Sequence, residues 1–131
     1  MTASAQTWIL VGIAGAVGTL LRYALGGWLA RVTGGVFPWE TFLINVTGCL
    51  IIGGLAAAFD RGSLLSPPVR MALMVGLLGG FTTFSSFALE ALRLAQGAEW
   101  SRAASYVLLT NVVGLAAVWI GFAAVSRLKA G

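Results

Sequence analysis

Apolar residues run through this chain of 131 residues in four long blocks, and the few charged residues mark where the blocks stop. No Asp, Glu, Lys or Arg falls within 1–21, 41–59, 71–89 or 103–126. A helix that crosses a bilayer needs about 20 mostly apolar residues. The pattern therefore predicts transmembrane helices near 8–30, 39–59, 69–94 and 101–126. Loops near 31–38, 60–68 and 95–100 are short, so residues 1–131 read as a single four-helix transmembrane domain with no extramembrane part. The first block reads as a retained span rather than a signal peptide, because no Lys or Arg precedes it and it runs past Arg22 to Ala30. Trp8, Trp28, Trp39 and Trp100 sit near span ends, where amphipathic rings favour the membrane interface. Trp119 lies inside the fourth span, and Pro67-Pro68 suits a helix start.

Composition narrows the class further. The chain is 59% hydrophobic and 9% charged, with a mean hydropathy of +0.95. Soluble domains carry about 25% charged residues, so a soluble globular domain is excluded. The absence of His removes His-based acid–base chemistry and His metal sites. The single Cys49 allows neither an intramolecular disulfide nor a multi-thiolate site. Nothing here suggests an enzyme. The net charge is +4, but the basic residues are scattered, whereas a nucleic-acid face needs them clustered. Membrane lipid, not nucleic acid, is the expected surrounding partner.

The charges near span ends give almost no orientation bias. One side carries Arg61, Arg70, Arg127 and Lys129; the other carries Arg31, Arg93 and Arg102, with Arg22 if it snorkels that way. Two readings fit: a weakly biased protein oriented by its first helix, or a chain that inserts both ways and pairs as an antiparallel dual-topology homodimer. Four thin helices enclose little space, so a polar route forms more readily between two copies.

Polar groups inside spans each need a partner. Arg22 is the only charge well inside a span, suited either to snorkelling or to a fixed positive charge near an ion route. Thr41, Asn45 and Cys49 recur every four residues and share one face of the second helix. Tyr106 and Thr110 make a similar stripe on the fourth, with Asn111 beside them. Interhelical hydrogen bonding accounts for both stripes without further function. The recurring glycines, such as Gly12, Gly15 and Gly18, read as packing positions.

The third helix is unusual. Its middle reads Gly79-Gly80-Phe81-Thr82-Thr83-Phe84-Ser85-Ser86-Phe87, followed by Glu90. Two glycines and two β-branched threonines lower helix propensity, so a break at mid-membrane is expected. Freed carbonyls at such a break are ligands for a small hard cation. Phe84 and Phe87 share a face, and ring edges are electropositive. Beside hydroxyls and an amide N–H₂, they point to a small anion held by donors rather than by fixed charge.

This run, with Asn45 and with Gly18 to Arg22-Tyr23 in the first helix, resembles the Fluc fluoride channels, also called CrcB proteins. The resemblance spans essentially the whole chain. It implies an antiparallel dual-topology homodimer in the bacterial cytoplasmic (inner) membrane that passively exports fluoride through two pores. In that family's terms Phe84 and Phe87 are ring-edge pore ligands and Asn45 is a donor to fluoride. Tyr106 and Thr110 continue a polar track, and Thr41, Ser85 and Ser86 add hydroxyls. Glu90 lies near the pore end, and Arg22 sets positive potential in a vestibule. A structural sodium is implied at the dimer centre, on the backbone carbonyls of Gly79 and Thr82. The chain departs from the pattern where the helix-four track reaches Gly114 and Val118, while Glu40 and Phe81 read as tolerated variation. A small dual-topology proton-coupled multidrug exporter shares the size and charge balance, but it needs a carboxylate in its first helix, which has none. A non-transporting membrane subunit, with polar residues serving only as glue, is the third reading.

Overall fold

The computed structural model describes residues 4–62 and 64–128. Lys129, one of the charges weighed for orientation, lies outside the described residues. Among the described residues the ordered elements are all helical. They are α1 (Ala5–Thr33), α2 (Trp39–Asp60), α3 (Pro67–Met71), a π-helical segment (Ala72–Leu78), α4 (Gly79–Phe81), α5 (Phe84–Gln96) and α6 (Trp100–Leu128). Together they make four stretches long and apolar enough to span a membrane, the third being Pro67–Gln96. At about 1.5 Å per residue even α2 exceeds the hydrocarbon thickness of about 30 Å.

Local chemistry sets the ends. The Ser4 hydroxyl accepts from Thr7 N at 3.3 Å to cap α1, and Gly34, at φ 74°, turns the chain out of it. Pro67 opens α3, where its missing N–H costs nothing. Ala98 holds φ 60° in the tight turn before α6, and Glu99 there pairs with Arg102.

Glycine decides which helices touch. A Cβ on Gly53 would strike the Val118 carbonyl, and one on Gly121 would strike the Leu50 carbonyl, so α2 and α6 lie backbone to backbone. Gly18 and Gly80 bring α1 equally close to the third span, against the carbonyls of Leu77 and Gly15. Lipid tails are as apolar as the side chains, so close packing rather than hydrophobic burial drives this association. The outer surface is correspondingly apolar: Trp8 is 71% exposed, Leu115 67% and Trp119 73%. Trp119 therefore stands on the outside of α6.

The third span breaks at its middle, on the threonines. Thr82 (φ −84°, ψ 161°) and Thr83 (φ −152°, ψ 113°) are extended, while Gly79 and Gly80 stay helical in α4. β-Branched residues favour extended backbone, and here they end the helix where the glycines do not. Gly80 serves the close approach of α1 instead.

Candidate functional site

The break is held by side chains from two other helices. The Asn45 amide on α2 pairs with the Thr83 peptide at both ends: Nδ2 donates to the Thr83 carbonyl at 3.0 Å, and Thr83 N donates to Oδ1 at 2.8 Å. From α1, Arg22 Nε donates to the Gly80 carbonyl at 3.0 Å. The Thr83 hydroxyl then caps α5 by accepting from Ser86 N at 3.2 Å, and it bonds the Ser86 hydroxyl at 3.1 Å. Thr82 closes the preceding helix, its N–H and its hydroxyl both donating to the Leu78 carbonyl at 2.9 Å.

These bonds create two oppositely polarised helix ends at one point. In a continuous helix the Thr83 N–H would serve the Gly79 carbonyl; Asn45 takes it instead. The carbonyl end of α4 and the N–H end of α5 are thus separated by only Thr82 and Thr83. The first attracts cations and the second anions.

Thr83 lines two cavities. The first, about 360 Å³, is lined by Asn45, Cys49, Gly79, Thr82, Phe84, Phe87, Thr110 and Asn111 among others. The second, about 580 Å³, is lined by Arg22, Tyr23, Arg31, Glu40, Thr41, Ser86 and Glu90. The walls of the first are mainly apolar, whereas those of the second carry four charged groups.

At the edge of the second cavity α2, α5 and α6 are joined by one carboxylate. Thr41 Oγ1 donates to Glu90 Oε1 at 2.8 Å, and Tyr106 OH donates to Glu90 Oε2 at 2.6 Å. Tyr106 is fully buried, with Phe37 edge-on at 5.3 Å between ring centroids and Phe87 at 5.2 Å. Phe84 follows Phe87 at 5.4 Å; Phe87 is 6% exposed and Phe84 76%.

The residues singled out in the sequence fall into three places. Asn45, Phe84, Phe87, Thr110, Gly79 and Thr82 line the first cavity; Arg22, Thr41, Ser86 and Glu90 line the second. Tyr106 and Ser85 line neither. Tyr106 lies behind Glu90, and the exposed Ser85 hydroxyl is 3.3 Å from that of Thr83. Thr110 Oγ1 is buried with no hydrogen-bond partner, unlike the other hydroxyls of the site. Sequence reasoning missed Thr83 as the hub and Phe37 as the ring against Tyr106. Thr83 carried a usable signal, a hydroxyl residue three positions before Ser86 at a helix start. Phe37 carried none, because its contact joins a loop to α6.

Among the described residues no group of three His, Cys, Asp or Glu could hold a metal. A hard cation beside the break would therefore draw its oxygen ligands from backbone carbonyls, hydroxyls or side-chain amides and not from a carboxylate cluster. Gly79 and Thr82 fit part of such a shell: both line the first cavity, the Gly79 carbonyl has lost its helical donor, and a Cβ placed on Gly79 would meet open space.

These features define a small multi-pass α-helical membrane protein whose third span is interrupted at a polar, multiply braced turn. The chain belongs to the CrcB family: residues 9–122 match the family described as "CrcB-like protein, Camphor Resistance (CrcB)". It is 43% identical over 119 residues to the "Fluoride-specific ion channel FluC" of Geotalea daltonii, covering 91% of this chain and 96% of that one. To the protein of the same name from Rhizobium leguminosarum bv. trifolii it is 41% identical over 120 residues, covering 92% and 96%. The Sorangium cellulosum protein, again of that name, is 38% identical over 126 residues, covering 96% and 99%.

Proposed function

We propose that this chain is a fluoride-specific ion channel, not an enzyme, and that the interrupted third span is its ion-conducting element. The observation that carries the reading is that Thr83, at the break, lines two cavities, one holding two phenylalanine rings and the other the Ser86 hydroxyl and the Arg22 and Arg31 guanidinium groups. The names of the relatives supply fluoride as the ion.

A small anion entering the second cavity meets the Arg22 and Arg31 charges and the Ser86 hydroxyl, whereas the Thr41 proton is held by Glu90. At the break it meets the N-terminal end of α5, whose backbone N–H groups favour negative charge. Beyond it lie the edges of Phe84 and Phe87, which are electropositive yet too weak to trap an ion. Asn45 acts there through Thr83 as well as by its remaining N–H.

The working unit in this reading is an antiparallel dual-topology homodimer in the bacterial inner membrane, with two pores through which fluoride leaves the cytoplasm passively. The exposure of Phe84 supports it, because a pore ligand left open on one chain calls for cover by a second. So does the half-shell at Gly79 and Thr82, which two copies would complete around a structural sodium. A sodium bound there would supply positive charge at the dimer centre, and the backbone carbonyls of Gly79 and Thr82 would hold it.

The test is efflux from liposomes holding the purified protein, with fluoride and chloride compared at equal gradients. Rapid fluoride loss with negligible chloride loss is expected, and substitution of Phe84 and Phe87 together should abolish it in an intact dimer. A folded dimer that passes no fluoride would sink the channel reading.

A further inference from the structure

Glu40 is a charged side chain to which the channel reading gives no role. It stands in the first turn of α2 and lines the second cavity, and its Oε2 is buried with no hydrogen-bond partner. A carboxylate in a first turn is ordinarily explained by the helix dipole and by bonds to the terminal N–H groups. That explanation fails for the orphaned oxygen, and α2 has no side-chain cap. Glu90, by contrast, has both oxygens occupied by the hydroxyls of Thr41 and Tyr106.

The surroundings indicate what Glu40 acts on. Facing the same cavity are Arg22, Arg31 and Tyr23 from α1 and Glu90 from α5. Two guanidinium charges and two carboxylate charges leave the cavity with no net charge. A cleft lined by one sign concentrates ions of the other, and low-dielectric walls strengthen the effect.

Resting on the channel reading, we infer that Glu40 is an electrostatic brake on anion access through the second cavity. Its charge cancels part of the attraction exerted by Arg22 and Arg31, so the cavity holds fewer anions than its arginines alone would draw. Removing the charge at constant shape leaves the cavity net positive and raises the local anion concentration.

The experiment compares fluoride efflux from liposomes for wild type, Glu40→Gln and Glu40→Asp at about 10 mM and about 1 M salt, where the Debye length is about 30 Å and about 3 Å. Glu40→Gln should pass fluoride about two to five times faster than wild type at low salt and at the same rate at high salt. Glu40→Asp should keep the salt dependence of wild type. A Glu40→Gln rate no faster at low salt, or equally faster at both, overturns the inference. Should Glu40→Gln fail to assemble, Glu40→Ala carries the same expectations. Arg31→Gln is the mirror case and should slow efflux at low salt only. Wild type that passes no fluoride at either salt overturns the channel reading and this inference together, whereas wild-type flux indifferent to the charge at position 40 overturns this inference alone.

Discussion

Asn45 and Thr83 show how much depends on single atoms here. Both polar ends of the Thr83 peptide are satisfied by one side chain, so Asn45→Leu strands an N–H and a carbonyl in an apolar span. Each buried unpaired group costs about 1–3 kcal/mol. The expected result is markedly lower thermal stability in detergent together with lost fluoride flux. Stability and flux that both match wild type would remove Asn45 from the site. Tyr106→Phe keeps the ring against Phe37 and Phe87 but takes the donor from Glu90 Oε2, and it should cost about 1–3 kcal/mol in the same melt. Thr110→Val is the opposite case. Its hydroxyl is buried without a partner, so an apolar isostere should be neutral or stabilising. Lost flux in that variant then reports on the ion path and not on folding.

At the level of the helix, the third span is four helical pieces, α3, the π-helical segment, α4 and α5. A π-helical stretch of seven residues precedes the short α4, and such wide turns are rare and often found at functional sites. Gly76 within it lies against Val11 and Ala14 of α1, so the wide turn carries part of the α1 contact. The extended threonines then separate the carbonyl end of α4 from the N–H end of α5, which a continuous helix could not do. Glycine contacts hold these pieces in register. Gly53→Ala would drive a methyl into the Val118 carbonyl and should destabilise by about 1–3 kcal/mol, measured by unfolding in detergent. Gly12→Ala meets no neighbour and should be silent or slightly stabilising. Equal effects at the two positions would mean that helix propensity, not close approach, governs the glycines.

For the whole molecule, the question is how two copies complete what one leaves open. Phe84, Gly79 and the first cavity form a surface that suits neither water nor lipid alone, being apolar at the rings and polar at the amide, hydroxyls and carbonyls. If two antiparallel copies close it around a trapped sodium, replacing external sodium by a larger cation should leave a preassembled dimer conducting. Rapid, reversible loss of flux on that exchange would show the ion site to be open or absent. Chain counting in detergent by native mass spectrometry should give two copies; a single copy that still conducts fluoride would remove the dimer from the proposal.

The four helices were legible along the chain because a bilayer demands long uncharged stretches and leaves few alternatives for them. The break in the third was legible for a related reason, since two glycines and two β-branched residues together oppose a helix in any surroundings. Which of the four residues yields was not, because it depended on α1: Gly80 stays helical beneath the Gly15 carbonyl, and Thr82 and Thr83 open instead. The stripes on the second and fourth helices were visible at intervals of four, but not that Asn45 reaches a backbone peptide 38 residues away while Thr41 and Tyr106 share one carboxylate. Periodicity reports which face a residue occupies. What it bonds there is set by the distance and rotation between helices, and those follow from where glycine lets two backbones meet.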